Sequence, residues 1–153
     1  MTIYLGTDHA GFALKEQLKV YLKERGHNVQ DQGAFALDEN DDYTDYVKIV
    51  AKLVQSDPES KGIVLGGSGQ GEAICANRFK GIRAAVYYGG AKEILKLSRE
   101  HNDANILSLG ARFLNLEQAK EAIDLWLTTP FSQDQRHARR IYEVDSESIG
   151  KVI

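Results

Sequence analysis

One stretch, Lys61 to Arg78 (KGIVLGGSGQGEAICANR), most limits what this chain can fold into. It opens with a short apolar run, Gly62-Ile63-Val64-Leu65. Four glycines follow within six residues, Gly66, Gly67, Gly69 and Gly71, with only Ser68 and Gln70 between them. Glu72 comes next, and Ala73 to Asn77 favours a helix. The pattern predicts a strand, a tight loop and a helix start. Glycines permit backbone angles closed to other residues and carry no side chain to block a ligand. Successive loop N–H groups can therefore turn inward as an anion-binding concavity. The unpaired amides of the following helix add to that field.

The spacing argues against two familiar phosphate loops. A dinucleotide fingerprint needs G-x-G-x-x-G and a later acid, whereas this loop reads G-x-G-x-G and the next strand ends at Tyr88-Gly89-Gly90. A Walker loop needs Gly-Lys-Ser/Thr, and Glu72 stands where the lysine would be. A carboxylate facing a ring of N–H donors suits a different chemistry. The donors hold a developing oxyanion while the carboxylate moves a proton on the adjacent carbon.

Around this stretch, strand-like runs alternate with helical patterns. Ile3-Tyr4-Leu5 predicts a first strand ending at Gly6-Thr7-Asp8-His9. A helix over 10–25 follows, with Leu14, Leu18, Tyr21 and Leu22 on one face. Asn28-Val29-Gln30 is a weak second strand, and 32–42 is loop. Tyr43 to Gln55 is helical. Ile82 to Tyr88 is a fourth strand, 91–100 a helix and Asn105 to Leu109 a fifth strand. Asn115 and Gln118 form a helix-start signal. A last helix runs from about Gln135 to Val144. The expected domain is 1–145, with a tail at 146–153. The alternation indicates an α/β fold, a Rossmann-like three-layer α/β/α sandwich on a five-stranded, mostly parallel sheet. Ligands bind such sheets beyond the carboxyl ends of the strands. That rule gathers Asp8-His9, Gly66 to Glu72, and Arg112.

The formal charge of −3, from 19 basic and 22 acidic residues, argues against a general nucleic-acid or membrane partner. The single cysteine, Cys75, fits a reducing cytoplasm and reads as a small core-facing helix residue. No apolar stretch approaches a membrane span. Asp8 suits a helix cap as well as a site. His101, within Arg99 to Asp103, suits either a helix C-terminus or a proton-transfer role. Arg136 and Arg140 are i,i+4 on a predicted helix and match phosphate geometry, with a solvated face as the alternative. No Cys/His set has zinc spacing. Asp8, His9 and His101 are a poor metal set, because two are adjacent residues with diverging side chains.

Together these blocks resemble the ribose-5-phosphate isomerase B family, which includes the galactose-6-phosphate isomerase subunits. The resemblance covers about residues 2–145: GTDHAGFALK at 6–15, GGSGQGE at 66–72, CANRF at 75–79, GIRAAV at 81–86, SREHNDANILSLGAR at 98–112 and QRHARR at 135–140. It implies metal-free, cofactor-free aldose–ketose interconversion of a sugar phosphate through a cis-enediolate. It also implies a homodimer or tetramer with active sites shared between subunits. By resemblance, Asp8 and His9 bind sugar, His9 reaching toward the phosphate. Gly67, Ser68, Gly69, Gln70 and Gly71 form the anion hole. His101 opens the furanose ring, and Asn102 places the sugar. Arg112, Arg136 and Arg140 surround the phosphate or sugar.

Many members of that family carry a base cysteine directly after the central strand. Here that position is Gly66, and Cys75 is not its equivalent. The loop form G-G-S-G-x-G-E belongs to the subgroup that uses its glutamate, so Glu72 inherits the role and Ser68 moves protons among the sugar oxygens. The expected substrate is ribose 5-phosphate. Allose or galactose 6-phosphate, a phosphosugar-binding regulator and a phosphatase on the same fold are the alternatives.

Overall fold

In the computed structural model, which describes residues 1–146, the apolar runs become strands of a single parallel sheet. They are β1 (Thr2–Thr7), β2 (Asn28–Asp31), β3 (Lys61–Gly66), β4 (Ala84–Tyr87) and β5 (Ile106–Gly110). The spatial order is β2-β1-β3-β5-β4, and every adjacent pair is parallel. The expected five-stranded α/β architecture holds. The tail expected at 146–153 lies, beyond Ser146, outside the described residues.

Among the described residues six α-helices flank the sheet: α1 (Phe12–Glu24), α2 (Tyr43–Ser56), α3 (Gln70–Ala76), α4 (Glu93–Glu100), α5 (Leu116–Thr128) and α6 (Gln135–Val144). Successive strand residues face opposite sides of a sheet, so each central strand feeds two cores. Ile3, Leu5, Ile63, Leu65, Leu107 and Leu109 pack with Leu18 and Leu22 of α1, Leu95 of α4 and Trp126 of α5. Val64 and Ile106 face the other way, against Val47, Val50 and Val54 of α2 and Ala76 of α3. Each fully buried aliphatic side chain contributes about 1.5–3 kcal/mol, so the central strands are the firmest part of the molecule.

Several boundaries differ from the sequence expectation. The first helix is preceded by a 3-10 turn, His9–Gly11, because the Asp8 carboxylate accepts the Ala10 N–H at 3.0 Å and tightens the entry. α3 starts at Gln70, three residues before the apolar Ala73 signal. Its cap, Gly69, has φ +78°, a left-handed conformation that glycine adopts without penalty. α5 carries the predicted capping box between Asn115 and Gln118.

α1 also buries a lysine. Lys15 Nζ, fully shielded, donates to Asp31 at 2.7 Å and to the Ala34 carbonyl at 2.9 Å. Burial alone would raise the Asp31 pKa. Lys15, Lys19 and the Gly33 N–H outweigh it and hold it below the usual value. A carboxyl held low stabilises the fold above its unfolded-state pKa, and that support fades as pH falls through the folded value. Thr7 and Gly33–Ala34 exchange backbone hydrogen bonds at 2.8 Å, so the root of the 32–42 loop is pinned beside the end of β1.

The order reverses between β1 and β3: the chain leaves β1 outward to β2, then crosses to β3 on the other side. Their carboxyl ends therefore diverge into a crevice, the usual ligand position in open α/β sheets.

Candidate active site

At that crevice the chain gathers Asp8 and His9 from the end of β1, the 66–72 loop from β3, and Arg112 just past β5. β3 and β5 are tied at their ends by Ala111 N–H to the Gly66 carbonyl, 2.8 Å, and Arg112 N–H to the Gly67 carbonyl, 3.1 Å. The Arg112 guanidinium lies over Gly67, where a Cβ would come within 3.0 Å of Nη1. The buried Ser108 hydroxyl donates to the Gly69 carbonyl at 2.6 Å and fixes the loop from below. Tyr43 covers Gly71, leaving 2.8 Å to an added Cβ. Ser68 and Gln70 are exposed, and the Gln70 N–H donates to Ser68 Oγ at 3.3 Å.

Glu72 is 4% exposed and folds back onto the last residue of β3. A Cβ at Gly66 would lie 1.8 Å from Oε1 and 2.1 Å from Cδ, so the carboxylate fills the space that any side chain at 66 would need. No cation pairs with Glu72 among the described residues. Burial raises its pKa, its own backbone N–H opposes that, and the nearby Asp8 charge adds to the rise. Burial wins over that hydrogen bond. A carboxylate so placed is a stronger base than one in water, and nothing neutralises it.

His9 is partly exposed. Its backbone N–H and its Nδ1 both meet Asp41 Oδ1, at 2.9 and 2.8 Å. Asp8, His9 and Asp41 have ligand-type atoms within 4.8 Å of one another, a closeness those hydrogen bonds account for. The set Asp8, His9 and His101 does not form, because His101 is elsewhere.

His101 and Asn102 follow α4, which runs back against the strands. They therefore precede β5 and lie at the amino edge of the sheet. β5 rises about 3.3 Å per residue, which alone separates that edge from Gly66 by on the order of 15 Å. There the His101 ring stacks on His137 of α6, centroids 4.2 Å apart and planes at 17°. Burial, then His101, hold the His137 pKa below its usual value. Asn102 and Arg140 line a cavity of about 420 Å³ together with Arg83 and Ile82. Arg136 is exposed and pairs with Asp134 at 3.4 Å, while Arg139, not Arg140, pairs with Glu143. Cys75 is partly buried against the α2-side core, and burial raises its pKa, so its thiol is less reactive than a free one.

The predicted site residues of one chain thus fall into two groups at opposite edges of the sheet. Asp8, His9, Gly67 to Glu72 and Arg112 share one; His101, Asn102 and Arg140 share the other. Sequence reasoning missed Asp41, Tyr43 and Ser108 as parts of the first and His137 as part of the second. His137 sits within the basic cluster and could have been flagged by its place between Arg136 and Arg140.

Comparison with known proteins bears on the family and the fold. The family model described as Ribose/Galactose Isomerase matches residues 3–144. Ribose-5-phosphate isomerase B of Mycolicibacterium paratuberculosis is 45% identical over 141 residues, covering 92% of this chain and 87% of that protein. The Escherichia coli enzyme of the same name is 40% identical over 139 residues, 91% of each. The solved structure of Clostridium thermocellum ribose-5-phosphate isomerase B superposes with a TM-score of 0.89 at 42% identity, covering 95% of both chains. That of Mycoplasma genitalium, with bound ribulose-5-phosphate, gives 0.88 at 34% identity over 94% of this chain and 93% of the other. No helix among the described residues is long and apolar enough to cross a membrane. With sequence and fold in agreement over nearly its whole length, the chain belongs to the ribose/galactose isomerase family.

Proposed function

We propose that this protein interconverts ribose 5-phosphate and ribulose 5-phosphate, with Glu72 as the base. The observation that carries the assignment of the base is the buried, unpaired Glu72 carboxylate set beside the glycine loop. Glu72 takes the proton from C2 of the open-chain aldose. The charge spreads onto O1 and O2, where the amides of 67–71 receive it. Each such donor is worth about 3 kcal/mol where measured. Glu72 then returns the proton to C1, and Ser68 carries a proton from O2 to O1. The product is the ketose, with no net change in protons. His9 and Arg112 hold the phosphate far from the reacting carbons, so binding energy there positions the substrate. The test is a coupled assay on ribose 5-phosphate, with ribulose 5-phosphate as the expected product. A folded protein without turnover on that sugar overturns the assignment.

The two groups support a shared active centre. His101 for ring opening, Asn102 for placing the sugar, and Arg136 with Arg140 for the phosphate complete it from a second copy of the chain. Co-expressed Glu72→Gln and His101→Ala chains should recover activity that neither has alone. A random mixture contains about half heterodimers, each with one intact site, so about a quarter of wild-type activity is expected. Recovery no greater than the sum of the two parents would place all the residues in one chain.

A further inference from the structure

We propose that Asp41 is a positioning residue: it fixes the His9 ring in one orientation and sets a shielded carboxylate against Nδ1, so that Nε2–H is presented to the substrate phosphate. The proposal rests on the phosphate-binding assignment of His9 made above.

A single oxygen, Asp41 Oδ1, accepts both the His9 backbone N–H and Nδ1–H. Two bonds from one residue to one atom lock the ring relative to its own main chain. With Nδ1 committed, the other ring nitrogen is left for the ligand, the same division of labour that orients catalytic and metal-bound imidazoles. The Asp41 side chain is only 7% exposed, so its charge is poorly screened by water. Asp41 is itself held in place. Its N–H donates to Asp38 O at 3.2 Å, and the loop root is fastened by Thr7 and by buried Lys15 at the Ala34 carbonyl.

The two carboxylates beside His9 act in the same direction, and Arg112 opposes them. The Asp41 hydrogen bond raises its pKa most; burial opposes this, Asp8 at 3.9 Å adds to the rise, and Arg112 lowers it. The net direction is up. On Asp41, burial acts upward, but the His9 N–H, the His9 ring and the Tyr46 hydroxyl together hold the carboxyl below its usual value. Each partner thus favours the charged form of the other. An imidazolium binds a phosphate dianion by a charge-assisted hydrogen bond, which a neutral ring cannot match.

The alternative is that Asp41 merely ties the loop to the turn. Asp41→Asn separates the two. Both hydrogen bonds land on one oxygen, so an amide oxygen can keep both while the charge is lost. In the substrate-free protein, the His9 ring should titrate above 6.5 in the wild type and lower in Asp41→Asn, read by NMR. At pH 8 the variant's KM for ribose 5-phosphate and its inhibition constant for inorganic phosphate should each rise about tenfold, with kcat within about twofold of wild type. As pH falls and both rings become protonated, the two proteins should converge. A wild-type His9 that titrates at or below 6.5 overturns the proposal whatever the variant does. So does a variant whose KM is unchanged or shifted equally at all pH values. Failure of the isomerase assignment would look different, as wild-type protein without turnover.

Discussion

Glu72→Gln should lose about a thousandfold in kcat with little change in phosphate affinity, the middle of the range for removing a general base. The amide keeps the shape but cannot take a proton from carbon. The variant should also be at least as stable as the wild type. Burial raises the Glu72 pKa, so the folded state holds its proton more tightly than the unfolded state. Above the folded pKa the ionised carboxylate is then a cost to folding, and the neutral amide removes it. Thermal melts at pH 8 alongside single-turnover kinetics check both halves. The same pKa sets the acid limb of kcat/KM in the wild type: activity should fall as pH drops through a value above the ordinary carboxylate range. Near wild-type turnover in the variant would exclude Glu72 as the base.

Gly66→Ala should lower kcat about a hundredfold although the substituted residue itself has no chemical role. The three atoms nearest an added Cβ all belong to the Glu72 carboxylate, at 1.8 to 2.5 Å. The methyl group therefore displaces the end of a flexible side chain rather than the backbone, and the sheet survives. A base moved by about 1 Å can cost 10²-fold through lost alignment. The decisive control is the double variant. Residues acting through one another are non-additive, so Gly66→Ala placed on Glu72→Gln should cost almost nothing further. If the two losses multiply instead, Gly66 matters for a reason other than room for the carboxylate.

The sequence exposed some of this and hid the rest for physical reasons. Central strands such as Gly62-Ile63-Val64-Leu65 are buried on both faces, so composition alone marks them. Their spatial order is set by long-range packing and leaves no local trace. β2 was faint because an edge strand with alternate residues exposed needs little apolar character. Gly69 and Gly71 masked the first turn of α3, since glycine is a poor helix former. The strand-end rule found Asp8, His9, Glu72 and Arg112, because each follows the carboxyl end of a strand. It could not place His101, whose position depends on α4 running back to the opposite edge. Asp41 sits in Asp38-Glu39-Asn40-Asp41-Asp42, where four acids look alike and only the folded loop selects one. Lys15 gives no sign of burial either, because its partners Asp31 and Ala34 lie on the next strand and the loop beyond it.

The contact between residue 66 and the carboxylate of residue 72 also bears on descent within the family. By the resemblance drawn above, the thiol expected after the central strand in other members and the glutamate proposed as the base here would compete for one small volume. A lineage cannot pass from one to the other by adding the second and then discarding the first, since the newcomer evicts the incumbent. That is a barrier to interconversion written in a few cubic ångströms, and it would keep the two branches apart long after their surfaces had drifted.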